Sequence, residues 1–379
     1  MIAIWYVALA ALLFVGIKFS KKKEWNDGNM SFDQTKCFLG FCAVIICFHH
    51  MAQVTCAPWL NPVFIRKGLD IFVTAGYPMV GMFLFCSGFG LYKSAKTKPD
   101  FFKRFIPVRI IPILIPTILT ELVYVYFRHL RHLPIRFKNP FMTGNHDTVH
   151  PFIWYIPCIL LLYILFYVGF GLLKKDWAGI LTVALGSGAW IFFCIRYGYG
   201  TWWFNTVHMF LLGILVSKFE KKFFESCKKL YVLKLIITIA AAAVLWRLAD
   251  NAGNLYFQIT HTNWTEANGY KADLFAWIFQ FLYTIAFAML YYLLSMKMKV
   301  GNPVLRFLGK FTLELYLIHG IFINMFGHCM IKEPALPVYY IKNVPLFVLV
   351  VLACSIPVSF GLSLIDKKVG KILRPKKAN

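Results

Sequence analysis

Two adjacent histidines, His49 and His50, lie inside the apolar run LGFCAVIICFHHM (39–51). A titratable ring in such a run either bonds a neighbouring helix or serves chemistry, because polar groups inside a membrane span are costly. Neighbours on a helix point about 100° apart, so at most one of the two faces a given cavity. Lys36 precedes His50 by fourteen residues. That separation is nearly four turns, ~21 Å along the axis, and brings both to a similar face. A passage between them would join a donor at one membrane surface to an acceptor at the other.

Other candidate residues are spread along the chain. FFKRFIPVRIIP (101–112) gathers Lys103, Arg104 and Arg109 among Pro107 and Pro112, with Pro116 beyond. Each proline removes a backbone donor and disturbs the helix, which is tolerated where backbone lines a cavity. A guanidinium at Arg109 could hold phosphate bidentately. Glu121 and Glu314 are acidic residues inside apolar runs and should face protein or water, not lipid. FLFCSGFGL (83–91) carries Ser87-Gly88, a pair that favours close helix packing. Trp154-Tyr155 fits an interfacial aromatic belt. His319 lies in FLGKFTLELYLIHGIFI (307–323), and His208 in another apolar segment. Walker A, HExxH, GxGxxG and GxSxG motifs are absent.

The elements that position these residues follow from composition. The 379 residues are 59% hydrophobic and 15% charged, and the mean hydropathy is +0.65. Soluble domains run near ~45–50% apolar and ~25% charged. An all-α integral membrane protein is expected. Eleven segments have the length and polarity of transmembrane helices: 1–18, 37–57, 70–92, 105–127, 152–173, 177–196, 201–217, 231–249, 273–295, 305–327 and 344–365. Nothing basic precedes the first, and Lys18, Lys21, Lys22 and Lys23 follow it, unlike a signal peptide. This places the N-terminus outside and the C-terminus in the cytoplasm. Alternate connections then put 29 of the 40 Lys and Arg residues on the cytoplasmic side, as the positive-inside rule requires. The net charge of +24 is thus assigned to orientation, with no nucleic-acid partner. The ten cysteines contain no CxxC and read as small buried hydrophobes. The loop 128–151 is rich in Arg and His, either as a solvated loop or as a polar rim for an acceptor such as a sugar. A second polar and aromatic outer loop is expected over 250–272.

In their order, these segments resemble the acyltransferase-3 family of membrane acyltransferases across roughly 32–366. FLFCSGFGL is similar to the family's FFxxSGfl segment, and LGKFTLELYLIHG to its LGxxSxxxYLxH segment. LGFCAVIICFHHM is similar to the histidine-bearing first family helix. The RIIP run and Trp154-Tyr155 fall where the family has its Arg-rich and WY segments. The chain departs from the pattern where the family has a basic residue eleven positions before its histidine. That position is Leu39 for His50 or Phe38 for His49, with Lys36 about one turn earlier. The family serine is Thr312 here, and a second family arginine is Ile106, with Arg104 nearby.

The resemblance implies ten family helices, preceded by an additional helix and basic loop in 1–31 and followed by a basic cytoplasmic tail, 367–379. It implies transfer of an acyl group, acetyl foremost, from cytoplasmic acyl-CoA to a carbohydrate or glycolipid hydroxyl outside, in a cell membrane and most readily the bacterial cytoplasmic membrane. His50, or His49, would be the base or acyl relay; an unperturbed imidazole titrates near ~6.5. Glu314 would orient a histidine. Arg109, Arg104 and Lys36 would hold the CoA phosphates, while Trp154, Tyr155, His319 and Glu121 would contact the acceptor. No metal is expected, and a homo-oligomer is left open. A multi-pass transporter of a sugar or lipid-linked glycan is the rival reading, since buried His, Glu and Arg also suit proton-coupled transport.

Overall fold

The computed structural model describes residues 3–133, 135, 150, 152–328 and 338–373. In chain order the helices are α1 (Ala3–Phe14), α2 (Phe32–Thr55), α3 (Gly76–Thr97), α4 (Ile106–Leu130), α5 (Tyr155–Leu172), α6 (Asp176–Arg196), α7 (His208–Lys218), α8 (Glu220–Lys228), α9 (Tyr231–Thr260), α10 (Glu266–Ser295), α11 (Pro303–Leu308), α12 (Thr312–Phe326) and α13 (Val344–Leu373). Each of the eleven apolar segments contains a helix. Seven (α2, α4, α5, α6, α9, α10 and α13) are long and apolar enough to cross a membrane. The α1 and α12 helices are apolar but shorter, and α7 has 11 residues.

Two segments differ from expectation. The run 305–327 is not one helix: it breaks at residues 309–311, between α11 and α12. The expected loop 250–272 is mostly helix, because α9 continues to Thr260 and α10 starts at Glu266. Helical backbone satisfies its own donors and acceptors, so a polar, solvated stretch extends a helix without penalty. His261 ends α9 in the left-handed region (φ 50°), and the Thr265 hydroxyl caps α10 by accepting from Asn268 N–H.

The centre of the fold is α2. Of its apolar window 83% is buried, against 6% for α9, whose side chains face outward. Close backbone approach fixes α2 against α11. A Cβ at Gly309 would lie 2.5 Å from the Lys36 carbonyl oxygen, and one at Gly40 would lie 2.8 Å from the Leu305 carbonyl oxygen. The break between α11 and α12 at 309–311 falls at this contact. Ser87-Gly88 packs in the same manner: a Cβ at Gly88 would collide with the Phe210 carbonyl of α7.

The first thirty residues are laced to the body. Strands β1 (Lys18–Phe19) and β2 (Met298–Lys299) pair antiparallel. The Asn302 amide donates to the Leu12 and Val15 carbonyls at the end of α1 (2.9 and 3.1 Å), while its oxygen accepts from Leu305 N–H to cap α11. The Lys297 ammonium binds the Lys22 and Glu24 carbonyls and lies 3.9 Å above the Trp25 ring. The described cysteines form no disulfide, and most are buried. Cys329, Arg136, Lys138 and His146 lie outside the described residues.

Candidate active site

The first turn of α4 is shaped by its prolines. Residues Ile106–Ile110 wind as a π-helical turn, closed by Ile111 N–H on the Ile106 carbonyl. Such wide turns recur at functional sites. This one carries Arg109 to the wall of a cavity of about 690 Å³, a size that suits small molecules and cofactors, ~300–1,000 Å³. Arg109 donates to the Ser94 hydroxyl at 3.4 Å and stacks 5.6 Å over the Phe101 ring. Its Nε is buried without a hydrogen-bond partner among the described residues. Lys36, Lys93 and Lys98 line the same cavity. Of these, Lys93 is paired with Glu220 at 2.8 Å.

The cavity runs along one face of α2. Its lining includes Lys36, Leu39, Ala43 and Ile46, spaced three and four residues apart, the spacing of a single helical stripe. Tyr155, Tyr163 and Tyr316 also line it. His50 is the next residue of the stripe, about one turn (~6 Å) further along. His49 points elsewhere: its Nδ1–H donates to the Phe72 carbonyl at 3.0 Å.

His50 meets His319 of α12. His319 Nδ1 is 2.9 Å from the Leu315 carbonyl, so it carries the proton and donates. His319 Nε2 therefore presents a lone pair. His50 Nδ1, 2.7 Å away, must donate to it. This order assigns both tautomers and leaves His50 Nε2 with a free lone pair, the arrangement of a base held in place by its neighbour. Both rings are buried, with His319 at 0% exposure. The Phe152 ring stacks on the pair, 4.2 Å from His50 and 5.2 Å from His319.

The remaining expected residues fall in three places. Glu314 is buried in the first turn of α12, where its charged neighbours are Asp366, Lys36 and Lys367. No hydrogen bond joins it to either histidine among the described residues. Glu121 of α4 faces a histidine the motifs did not single out, with Oε1 3.5 Å from His150 Nδ1. Tyr155 lines the cavity and lies edge-on to Tyr316, whereas Trp154 packs behind it and Arg104 does not line the cavity. Among the described residues, no cluster of three or more His, Cys, Asp or Glu could hold a metal.

The profile of an acyltransferase domain, acyltransferase-3, matches residues 37–364. The chain belongs to the acyltransferase-3 family. The match starts five residues into α2 and ends within α13, so it takes in both histidine helices and most of the cavity wall, while Met30, Phe32, Thr35 and Lys36 lie just before it. No curated protein and no solved structure matches the chain. Membership makes the protein a multi-pass membrane acyltransferase and leaves α1 and β1 outside the matched region.

Sequence reasoning missed Phe152, Lys98 and the link between His150 and Leu317. Phe152 is one of 38 phenylalanines, and only tertiary packing distinguishes it. His150 stood in a histidine-rich loop with nothing to separate it from its neighbours.

Proposed function

We propose that the protein transfers an acyl group, acetyl foremost, from cytoplasmic acyl-CoA to a hydroxyl of a cell-surface or lipid-linked carbohydrate. In this reading the chain crosses a bacterial cytoplasmic membrane eleven times, N-terminus outside. Residues 1–31 add one helix to an acyltransferase bundle, 32–366, and 367–379 form a basic cytoplasmic tail.

The observation that carries the reading is the continuous α2 stripe. Its cavity-lining part runs from the cationic end at Lys36 and Arg109 to Ile46, one helical turn short of His50, whose Nε2 carries the free lone pair. Lys36, Lys98 and Arg109 suit the phosphates of CoA, with the guanidinium offering a bidentate fork. The thioester then lies along Leu39, Ala43 and Ile46 toward His50. His50 Nε2 takes the proton from the acceptor hydroxyl as its oxygen bonds to the acyl carbon. The C–S bond breaks, and the CoA thiolate takes up the proton from His50. The His50 Nδ1–H bond to His319 fixes the ring and spreads the positive charge that forms. Tyr155 borders this path, while Trp154, Glu121 and Glu314 support it from outside the cavity.

The test is reconstitution of the full chain in vesicles with acetyl-labelled CoA and cell-surface glycan. Labelled glycan from the wild type and none from His50→Ala is expected. Equal labelling by the variant removes His50 from the mechanism. Glycan movement without labelling replaces acyl transfer with transport.

A further inference from the structure

Phe152 is fixed at the start of α5 by contacts on both sides. The Tyr316 hydroxyl donates to the Phe152 carbonyl at 2.7 Å. Two residues earlier, His150 Nε2 lies 2.7 Å from the Leu317 carbonyl and donates to it. That bond turns His150 Nδ1 toward Glu121 Oε1, at 3.5 Å. At 3.5 Å this is a close charge contact and not a hydrogen bond; because a neutral imidazole that donates from Nε2 offers only a lone pair at Nδ1, closing the contact takes one proton shared with the carboxylate. Tyr124 of α4 lies 4.3 Å from the His150 ring, centroid to centroid. Tyr316 and His319 are the polar groups that α12 brings to this region.

The ring of Phe152 reaches the histidines through a gap left by Gly320. A Cβ at position 320 would collide with its Cε2. Neither Phe152 nor the two histidines line the cavity; the Phe152 ring covers the pair from 4.2 Å at His50 and 5.2 Å at His319. The segment is thus tied down at both ends and aimed at the pair by a missing side chain.

We propose that Phe152 keeps water from the His50–His319 pair, and that Glu121 and His150 are positioning residues that hold it there. The acyl group is then passed to a carbohydrate hydroxyl and not to water. This rests on the acyl-transfer reading above. A base able to deprotonate a sugar hydroxyl also deprotonates water. In either case an O–C bond forms at the acyl carbon, the C–S bond breaks, and the leaving thiolate receives the proton from His50. Only the arriving oxygen differs, and excluding water decides which one arrives.

The experiment measures free acetate and acetyl-glycan together, using the reconstituted full chain and acetyl-labelled CoA, with and without glycan. Phe152→Ala removes the ring. Gly320→Ala pushes the ring aside without removing it. Both should raise the ratio of acetate to acetyl-glycan several-fold over wild type. Glu121→Ala should shift the ratio the same way by less. Glu121→Gln, whose amide can donate to the His150 lone pair, should stay nearer wild type. A folded Phe152→Ala or Gly320→Ala protein with the wild-type ratio overturns the proposal. So does a parallel fall in both products, which marks a purely structural role. A wild-type protein that yields neither product overturns the acyl-transfer reading itself, whatever the variants do.

Discussion

Along one face of α2 the surroundings change from cationic and open at Lys36 to neutral and closed at His50. The Lys36 end borders a cavity of about 690 Å³ whose wall also holds Lys93, Lys98 and Arg109. The His50 end has hydrogen-bond partners fixed to within 3 Å and an aromatic ring on top. On the proposed reading, the first region attracts the anionic donor and the second holds one nitrogen still. A single helix joins them, so that reading separates binding from chemistry by position and links them through one rigid element.

Substitutions at each end should therefore fail differently. The largest effect after loss of His50 itself is expected for His319→Leu. Without its acceptor, His50 loses tautomer and orientation, and kcat should fall by ~10²–10⁴ with the donor KM little changed. Steady-state kinetics in vesicles would show this. A matched rise in KM would move His319 from the chemical end to the binding end. Arg109→Gln should do the reverse. Losing a charge-assisted contact costs about 1.5–3 kcal/mol, which is ~10–100-fold in donor KM at nearly constant kcat. Isothermal titration with CoA should show the same loss of affinity. An unchanged affinity would dissociate the cationic wall from the donor. The smallest effect is expected at the crossing that supports both ends. Gly309→Ala must separate the α11 and Lys36 backbones, an overpacking cost of ~1–3 kcal/mol. A lower melting temperature in detergent would follow, with a fall in kcat smaller than that of His319→Leu and little change in KM, because the displaced end of α2 is the histidine end. Wild-type stability would show that the crossing has slack.

Much of this was legible in the chain. Every segment marked by apolar length proved to contain a helix, because a membrane span needs an uninterrupted apolar run, whereas the short charged helix α8 lay outside those segments. The breaks were less legible. The interruption at 309–311 coincides with a close approach to the carbonyl of Lys36, more than 270 residues away in the chain. The extension of α9 past residue 250 depends on solvent permitting a polar helix. For the site, the spacing of Lys36 and His50 predicted a shared face, and the stripe lies there. The choice between His49 and His50 needed their partners, Phe72 and His319. Glu314 was expected to orient a histidine and Glu121 to contact the acceptor, yet Glu121 lies against His150 and Glu314 sits among the charges near Lys36. Sequence carries residue type and local period. It carries no direction for a side chain whose partner arrives from another helix.

The glycine crossing between α2 and α11 has a mechanical consequence. It acts as a fulcrum, with the histidine pair at the far end of a lever. His50 lies ~21 Å along α2 from Lys36, so a tilt of only 5° at the crossing would carry the ring by ~2 Å. That displacement is comparable to the 2.7 Å bond it would break. The tolerance for error at Gly309 is thus set by a hydrogen bond several turns away. Any event that pries the crossing apart, including the seating of a bulky donor beside Lys36, would be magnified before it reached the histidines.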